Sequence, residues 1–99
     1  MFDKMKDLLA MQRKMQEIKR SLEETNFDLQ SPDGLVKITM NGAQEIKAVT
    51  LKEDLTDAEQ SRLAGVLKDT VNRSIKRSQE IAAQKMREAA GGLNIPGLT

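Results

Sequence analysis

The chain has 99 residues and a formal net charge of +1, and it contains no cysteine and no histidine. Their absence excludes disulfides and thiolate metal sites and removes the commonest general base, so we expect no enzymatic activity, no cofactor and no small-molecule substrate. Only 2% of the residues are aromatic, and a short chain with so few large rings has difficulty burying a sufficient core alone. No apolar run approaches the roughly 18 residues of a membrane span and no secretory segment is present, so we expect a cytoplasmic protein that associates with itself.

Residues 1–24 are predicted to form one helix. The segment has no proline or glycine and is rich in Lys, Gln, Glu, Met and Leu, which favour a helix. Its apolar residues recur at two positions of a seven-residue repeat, a spacing typical of a helix that packs along one side against another helix. They are Met1, Leu8, Met15 and Leu22 at the first position and Met11 and Ile18 at the second, where only Lys4 interrupts the pattern.

Residues 26–51 change to the alternation of apolar and polar residues that is typical of strands, and they predict a three-stranded antiparallel meander. Ser31-Pro32-Asp33-Gly34 has the composition of the first turn, with proline at its second position. Asn41-Gly42 marks the second turn, between the strand-like stretches Leu35–Met40 and Glu45–Leu51. The middle of the chain is therefore predicted to form a small sheet.

The pairing of the second and third strands depends on the length of the loop at Asn41-Gly42. A two-residue loop would place Ile38 opposite Glu45 and mix apolar and charged side chains on one face. A three-residue loop that starts at Met40, with Gly42 in the left-handed conformation, avoids this conflict. We predict the three-residue loop, because cross-strand pairing favours its register. It would pair Val36 with Ile46 and Lys37 with Glu45.

Residues 56–90 are predicted to form a second long helix. Thr56-Asp57-Ala58-Glu59 matches a capping box, and apolar residues recur at helical spacing behind it. Gly91-Gly92 is predicted to end this helix and to leave residues 91–99 as a flexible tail. The order α-β-β-β-α predicts one α+β domain that spans residues 1–99.

Basic residues are concentrated in the two predicted helices. Residues 4–20 and residues 68–87 each carry six basic and two acidic side chains, a net charge of +4 per stretch. Such stretches attract a polyanion, and phosphate binding needs mobile cations on an exposed, rigid face. An ordinary solvated helix face is the alternative. The candidate DNA-binding residues are Lys6, Arg13, Lys14, Lys19 and Arg20 in the first helix and Arg73, Lys76 and Arg77 in the second.

The segment Gly34–Gly42 reads Gly-Leu-Val-Lys-Ile-Thr-Met-Asn-Gly. It resembles the signature of the YbaB/EbfC family of bacterial nucleoid-associated proteins, and the resemblance covers nearly the whole chain. The chain departs from the family pattern before this segment, where Ser31-Pro32-Asp33 stands in place of the usual run of glycines. Further similar features are the Met/Gln-rich start, Val71-Asn72 and the ending Gly91-Gly92…Pro96-Gly97-Leu98, whereas Thr70, Arg73 and Ser74 stand where alanines are more usual.

The resemblance implies a nucleoid-associated homodimer in which the sheets join at the centre and helix pairs project like tweezers, with double-stranded DNA as the partner. It further implies a part in organising the nucleoid and a possible influence on gene expression. Duplex is a better ligand than single-stranded nucleic acid, because the chain lacks aromatic stacking platforms. A dimeric adaptor or chaperone-like module stays open as the alternative, since the net charge is near zero and the first helix is rich in methionine.

Overall fold

A computed structural model of the chain describes residues 2–93 and confirms the α+β order α-β-β-β-α. Met1 and residues 94–99 lie outside the described residues, so for residues 94–99 the flexible tail stays a prediction. The elements are α1 (Phe2–Glu24), β1 (Asn26–Gln30), β2 (Val36–Asn41), β3 (Ile46–Leu51) and α2 (Asp57–Leu93).

The three strands form one antiparallel sheet in the order β1-β2-β3, and α2 packs across one face of β1 and β2. The side chains of β2 on this face are enclosed, since Val36, Ile38 and Met40 are at most 1% exposed. Strand β3 lies outside the cover of α2, and all six of its residues are exposed. The sheet therefore has a buried centre and an uncovered edge.

The pairing of β2 with β3 differs from the predicted register. Val36 lies opposite Leu51 rather than Ile46, and Lys37 lies opposite Thr50 rather than Glu45. The predicted pairs are therefore wrong, and the two-residue alternative does not occur either. The observed register is more favourable than both, because it places three apolar pairs on the face that α2 partly covers. They are Val36 with Leu51, Ile38 with Val49 and Met40 with Ile46.

A bulge in β3 makes this register possible. Ile46 and Val49 are three residues apart, so strict alternation would place their side chains on opposite faces of the sheet. The pairing shifts by one residue between Thr39 and Met40, which leaves Lys47 as the extra residue of β3. The extra residue returns both apolar side chains to the same face.

The loop between β2 and β3 is organised by the side chain of Asn41 and is longer than predicted. Asn41 Oδ1 accepts hydrogen bonds from the backbone N–H groups two and four residues further on, both at 3.0 Å. The left-handed residue of the loop is Gln44, with a φ of 61°, so the prediction of a left-handed Gly42 is wrong. Glycine is needed at position 42 because there is no room for a side chain. A Cβ there would lie 2.9 Å from Leu22 Cδ2 and 3.3 Å from the Leu22 carbonyl oxygen.

The capping box at the start of α2 is confirmed, but the predicted end of the helix is wrong. The Glu59 N–H donates to Thr56 Oγ1 at 3.2 Å, and the Thr56 N–H donates to Glu59 Oε1 at 3.0 Å. The helix continues through Gly91-Gly92 to Leu93. A glycine inside a helix costs only about 1 kcal/mol and ends the helix where it turns left-handed. Gly91 does not have a positive φ.

Helix α1 packs on α2 of its own chain. Leu22 and Ile81 meet at Gly42, and Ile18 faces Lys85 further along α2. As the residue number falls along α1 it rises along α2, so the two helices run antiparallel. We call this helix pair, residues 2–24 with residues 78–93, the arm. It extends the molecule to 68 × 23 × 15 Å.

Candidate nucleic-acid interface

Three predicted DNA-binding cations form a line along the outside of the arm. Lys6, Arg13 and Arg20 are all exposed, whereas Ile18, on the side of α1 that faces α2, is 9% exposed. Seven residues make nearly two helical turns, so the three cations share one side of the helix. None of them forms an ion pair within residues 2–93. These charges are free to meet an anionic ligand.

The other two predicted cations of α1 are placed differently. Lys14 lies in the groove between the helices, half-buried, with its Nζ 3.8 Å from Glu17 Oε2. Lys85 of α2 lines the same groove. Lys19 is exposed and forms no ion pair among the described residues. The structure therefore separates Lys14 from the outer line of α1 cations.

Three hydroxyl residues set the orientation of α2 on the sheet. Thr70, Ser74 and Ser78 are four residues apart and 0% exposed, so they mark the line of α2 that faces the rest of the molecule. At roughly 100° per residue, Arg73 lies on one flank of this line and Val71 on the other. The small side chains of Thr70, Ser74 and Ser78 let α2 approach the rest of the molecule closely. Each of the three hydroxyl groups donates a hydrogen bond to a backbone carbonyl.

The flank that carries Arg73 borders an open groove beside the first turn of the sheet. Arg73 and Lys76 line this groove together with the turn residues Ser31 and Pro32. Both cations are exposed and neither forms an ion pair within the described part of the chain. The structure thus brings these two predicted residues together on one accessible surface.

Arg77 lies apart from that groove. Its Nη1 is 3.3 Å from Glu80 Oε2, and it lines a different depression, next to Thr25 at the end of α1. Lys85 and Arg87 line the same depression. Sequence analysis did not select these two cations, although the sequence places them eight and ten residues after Arg77 in the same predicted helix.

Two acidic residues, Asp33 and Asp69, line the groove and reduce its positive potential. Asp33 accepts a hydrogen bond from the Ser31 hydroxyl at 2.7 Å and another from the Leu35 N–H at 3.2 Å. These two bonds, followed by the nearby Arg62, hold the pKa of Asp33 below its ordinary value, so the carboxylate is charged at neutral pH. An anionic ligand would therefore be held at Arg73 and Lys76 rather than against the turn itself.

The loop between β2 and β3 fixes the arm to the sheet, and we call it the junction loop (residues 41–45). Asn41 Nδ2 donates to the Glu23 carbonyl at 3.1 Å, and the Gly42 N–H donates to the Leu22 carbonyl at 2.9 Å, so the loop caps the end of α1. Ser78 of α2 donates to the Asn41 carbonyl at 2.8 Å and accepts from the Gln44 N–H at 3.1 Å. The cations of both helices are therefore held relative to the sheet by one loop.

Sequence analysis missed these supporting residues. Asn41-Gly42 was interpreted only as a turn, and Thr70 and Ser74 only as departures from a family pattern. A signal was present in α2, where hydroxyl residues at 70, 74 and 78 share one side of the helix. No comparable signal marked the side-chain contact between Asn41 and α1.

Two kinds of feature are absent from the described part of the chain. Within residues 2–93 no three His, Cys, Asp or Glu side chains are placed to hold a metal ion. No helix in the same range is both long and apolar enough to cross a membrane.

Comparison with known proteins assigns the family. The sequence profile of the YbaB/EbfC DNA-binding family matches residues 1–93. A nucleoid-associated protein of Syntrophobacter fumaroxidans is 36% identical over 98% of this chain and 89% of its own length. Nucleoid-associated proteins of Desulforamulus reducens and Clostridium novyi are 35% and 32% identical, each over 95% of this chain and over 90% and 83% of their own lengths. The chain therefore belongs to the YbaB/EbfC DNA-binding family.

Proposed function

We propose that this protein is a nucleoid-associated protein that binds duplex DNA as a homodimer, with low or modest sequence preference, in the bacterial nucleoid. The observation that carries the proposal is the pair Arg73 and Lys76, exposed on one flank of α2 without an ion-pair partner among the described residues. The line Lys6, Arg13 and Arg20 on the outside of the arm supports it. Both sets lie on helices, which hold cations at fixed spacing along a duplex backbone.

Phosphate contacts explain how such a surface would work. Each cation that neutralises a phosphate releases a condensed counterion, and this supplies binding free energy whatever the base sequence. The ion pairs of Lys14 and Arg77 do not prevent their use, because exposed pairs are worth only about 0–1 kcal/mol and DNA phosphates can replace the carboxylate. The elements within residues 2–93 form no helix-turn-helix, and the sequence lacks the Cys and His of a zinc finger. This favours backbone contacts over base readout.

The uncovered edge of the sheet supports a homodimer. Ile46, Val49 and Leu51 of β3 are 48%, 48% and 43% exposed, and we call them the β3 surface. They lie on the same sheet face as the core of β2, and Val71 packs against that core from one flank of α2. An apolar surface on an unpaired edge strand is a site of association, and a second copy could cover it through a two-fold contact. Arg73 lies on the other flank and would stay accessible.

The first test is a titration of a mixed-sequence duplex of about 30 base pairs at 50 and 200 mM salt. If a dimer contacts about six phosphates, affinity should fall about 10³-fold between the two concentrations. The double variant R73Q/K76Q should bind more weakly and show a smaller salt dependence. K37Q/K47Q removes the same charge from cations that pair with Asp28 and Glu45, and it should bind like the wild type. Equal effects of the two variants, or a flat salt response, would contradict the proposal.

The dimer has its own test in Val49→Lys, which puts a charge in the centre of the β3 surface. In dilute solution, light scattering should give the mass of two chains for the wild type and of one chain for the variant. The control is Thr50→Lys, whose side chain lies opposite Lys37 and so on the other face of the sheet. A V49K protein that stays dimeric would show that the two copies meet elsewhere.

The adaptor alternative makes the opposite prediction for the basic residues. Reversing the charges of Arg73, Lys76 and Arg77 together should abolish DNA binding while the protein stays folded and dimeric. A protein-binding adaptor would tolerate that change.

A further inference from the structure

The first half of α1 carries an apolar seam that α2 does not cover. Leu8, Met11 and Met15 are 67%, 45% and 51% exposed, although they continue the seven-residue repeat whose later member Ile18 is buried against α2. We call these three residues the tip seam. A repeat of this kind is the pattern of a helix that packs on another helix. Among the described residues, α2 leaves these three side chains largely exposed.

We propose that the tip seam binds the tip seam of a second dimer in antiparallel orientation, with Leu8 of one chain opposite Met11 of the other. In antiparallel helix pairs the first repeat position packs against the second position of the partner helix. This register packs Leu8 and Met11 of each chain against each other and places Met15 opposite Lys4, at the edge of the contact. The contact is isologous, because each chain offers the same surface to the other.

In this register the charges beside the tip seam of one chain are complementary to those beside the tip seam of the other chain. Asp7 and Lys14 occupy the same flanking position in successive repeats, so Asp7 of each chain would lie next to Lys14 of the other. Asp7 forms no ion pair within residues 2–93, and Lys14 has only a 3.8 Å contact with Glu17. A parallel pairing would instead place Lys14 beside Lys19 of the other helix, where like charges repel. The charge pattern therefore selects the antiparallel contact.

This contact cannot be part of the dimer that forms through the β3 surface. Its two-fold axis would cross α1 at right angles near residues 9 and 10. The junction loop, where β3 begins, packs against Leu22, roughly 19 Å further along the helix at 1.5 Å per residue. One axis cannot pass through both places. The tip seam therefore joins separate dimers, and each dimer carries two of them.

Cysteine cross-linking tests the orientation, because the chain contains no cysteine of its own. Oxidising a mixture of Leu8→Cys and Met11→Cys proteins should give more of the mixed disulfide than of either symmetrical one, in particles with the mass of four chains or more. Arg13→Cys, on the outside of the arm, is the control and should give no more than background. Dominant symmetrical disulfides, cross-linked particles of only two chains, or yields equal to the control would overturn the proposal.

Charge exchange tests the register without any covalent bond. Asp7→Lys and Lys14→Asp each turn two attractions per contact into repulsions, so sedimentation should show the midpoint for association of dimers about tenfold higher in concentration. The double variant D7K/K14D restores both attractions and should return to the wild-type midpoint. Single variants without effect, or a double variant without rescue, would refute the register. The DNA titration of R73Q/K76Q does not depend on this contact, so its failure would leave the proposed DNA binding standing.

Discussion

Replacing Gly42 by alanine tests the close approach between the junction loop and the arm. The added Cβ would lie 2.9 Å from Leu22 Cδ2, 3.2 Å from Ile81 Cγ2 and 3.3 Å from the Leu22 carbonyl oxygen. The Leu22 methyl group can rotate away, but the carbonyl oxygen is held by the Gly42 N–H at 2.9 Å. Overpacking of this kind costs about 1–3 kcal/mol, and the reduced freedom of the unfolded chain returns about 0.4–1 kcal/mol. We therefore expect G42A to lower the free energy of unfolding by about 1–2 kcal/mol.

The matched control is Gly65→Ala in the first half of α2. No atom outside the neighbouring backbone of α2 itself lies within 4 Å of the Cβ that this change adds, so it brings no clash. Alanine should stabilise the helix there by about 0.5–1 kcal/mol. Urea unfolding followed by circular dichroism measures both variants, at one chain concentration because self-association makes stability depend on it. A G42A protein as stable as the wild type, beside a stabilised G65A, would refute the close approach.

Two further changes test the contacts at the start of α2 and at the junction loop. The Glu59 carboxylate accepts a hydrogen bond from Lys52 Nζ at 2.6 Å, and this bond together with the capping bonds lowers the pKa of Glu59 to about 2. The stabilisation from these contacts is therefore complete above the ordinary Glu pKa near 4.5 and is lost as the pH falls from there towards 2. Glu59→Gln should remove this part of the acid dependence in unfolding curves between pH 2 and 6, and an unchanged dependence would contradict the assignment. Ser78→Ala deprives the Gln44 N–H and the Asn41 carbonyl of a partner. It should lower the free energy of unfolding in urea by about 1–3 kcal/mol. The control Ser61→Ala removes an exposed hydroxyl and should be close to the wild type.

The sequence predicted the elements of the fold because their signals are local. The seven-residue repeat, the turn at Pro32 and the capping box at Thr56 each act within a few residues, and the structure contains all three. The β2–β3 register failed because it depends on the bulge at Lys47 and on the contact of Asn41 with α1. Neither is visible within one hairpin. The end of α2 failed because a glycine pair permits a stop without requiring one.

The candidate interface was predictable in composition but not in arrangement. The basic stretches identified the helices that carry the charge, and the repeat placed Lys6, Arg13 and Arg20 on one side. That Arg73 and Lys76 share a groove while Arg77 lines a separate depression depends on how α2 is turned on the sheet. Buried hydroxyl groups determine that orientation, and apolar periodicity alone does not report them.

The junction loop has a mechanical consequence. It is bonded to the last turn of α1 and to Ser78 of α2, and its chain continues directly into β3. A force that bends the arm therefore reaches the edge strand through short, directional bonds, with the loop as the fulcrum and the arm as the long side of a lever. Bending of the arm and the packing of the β3 edge against a neighbouring chain are therefore mechanically coupled.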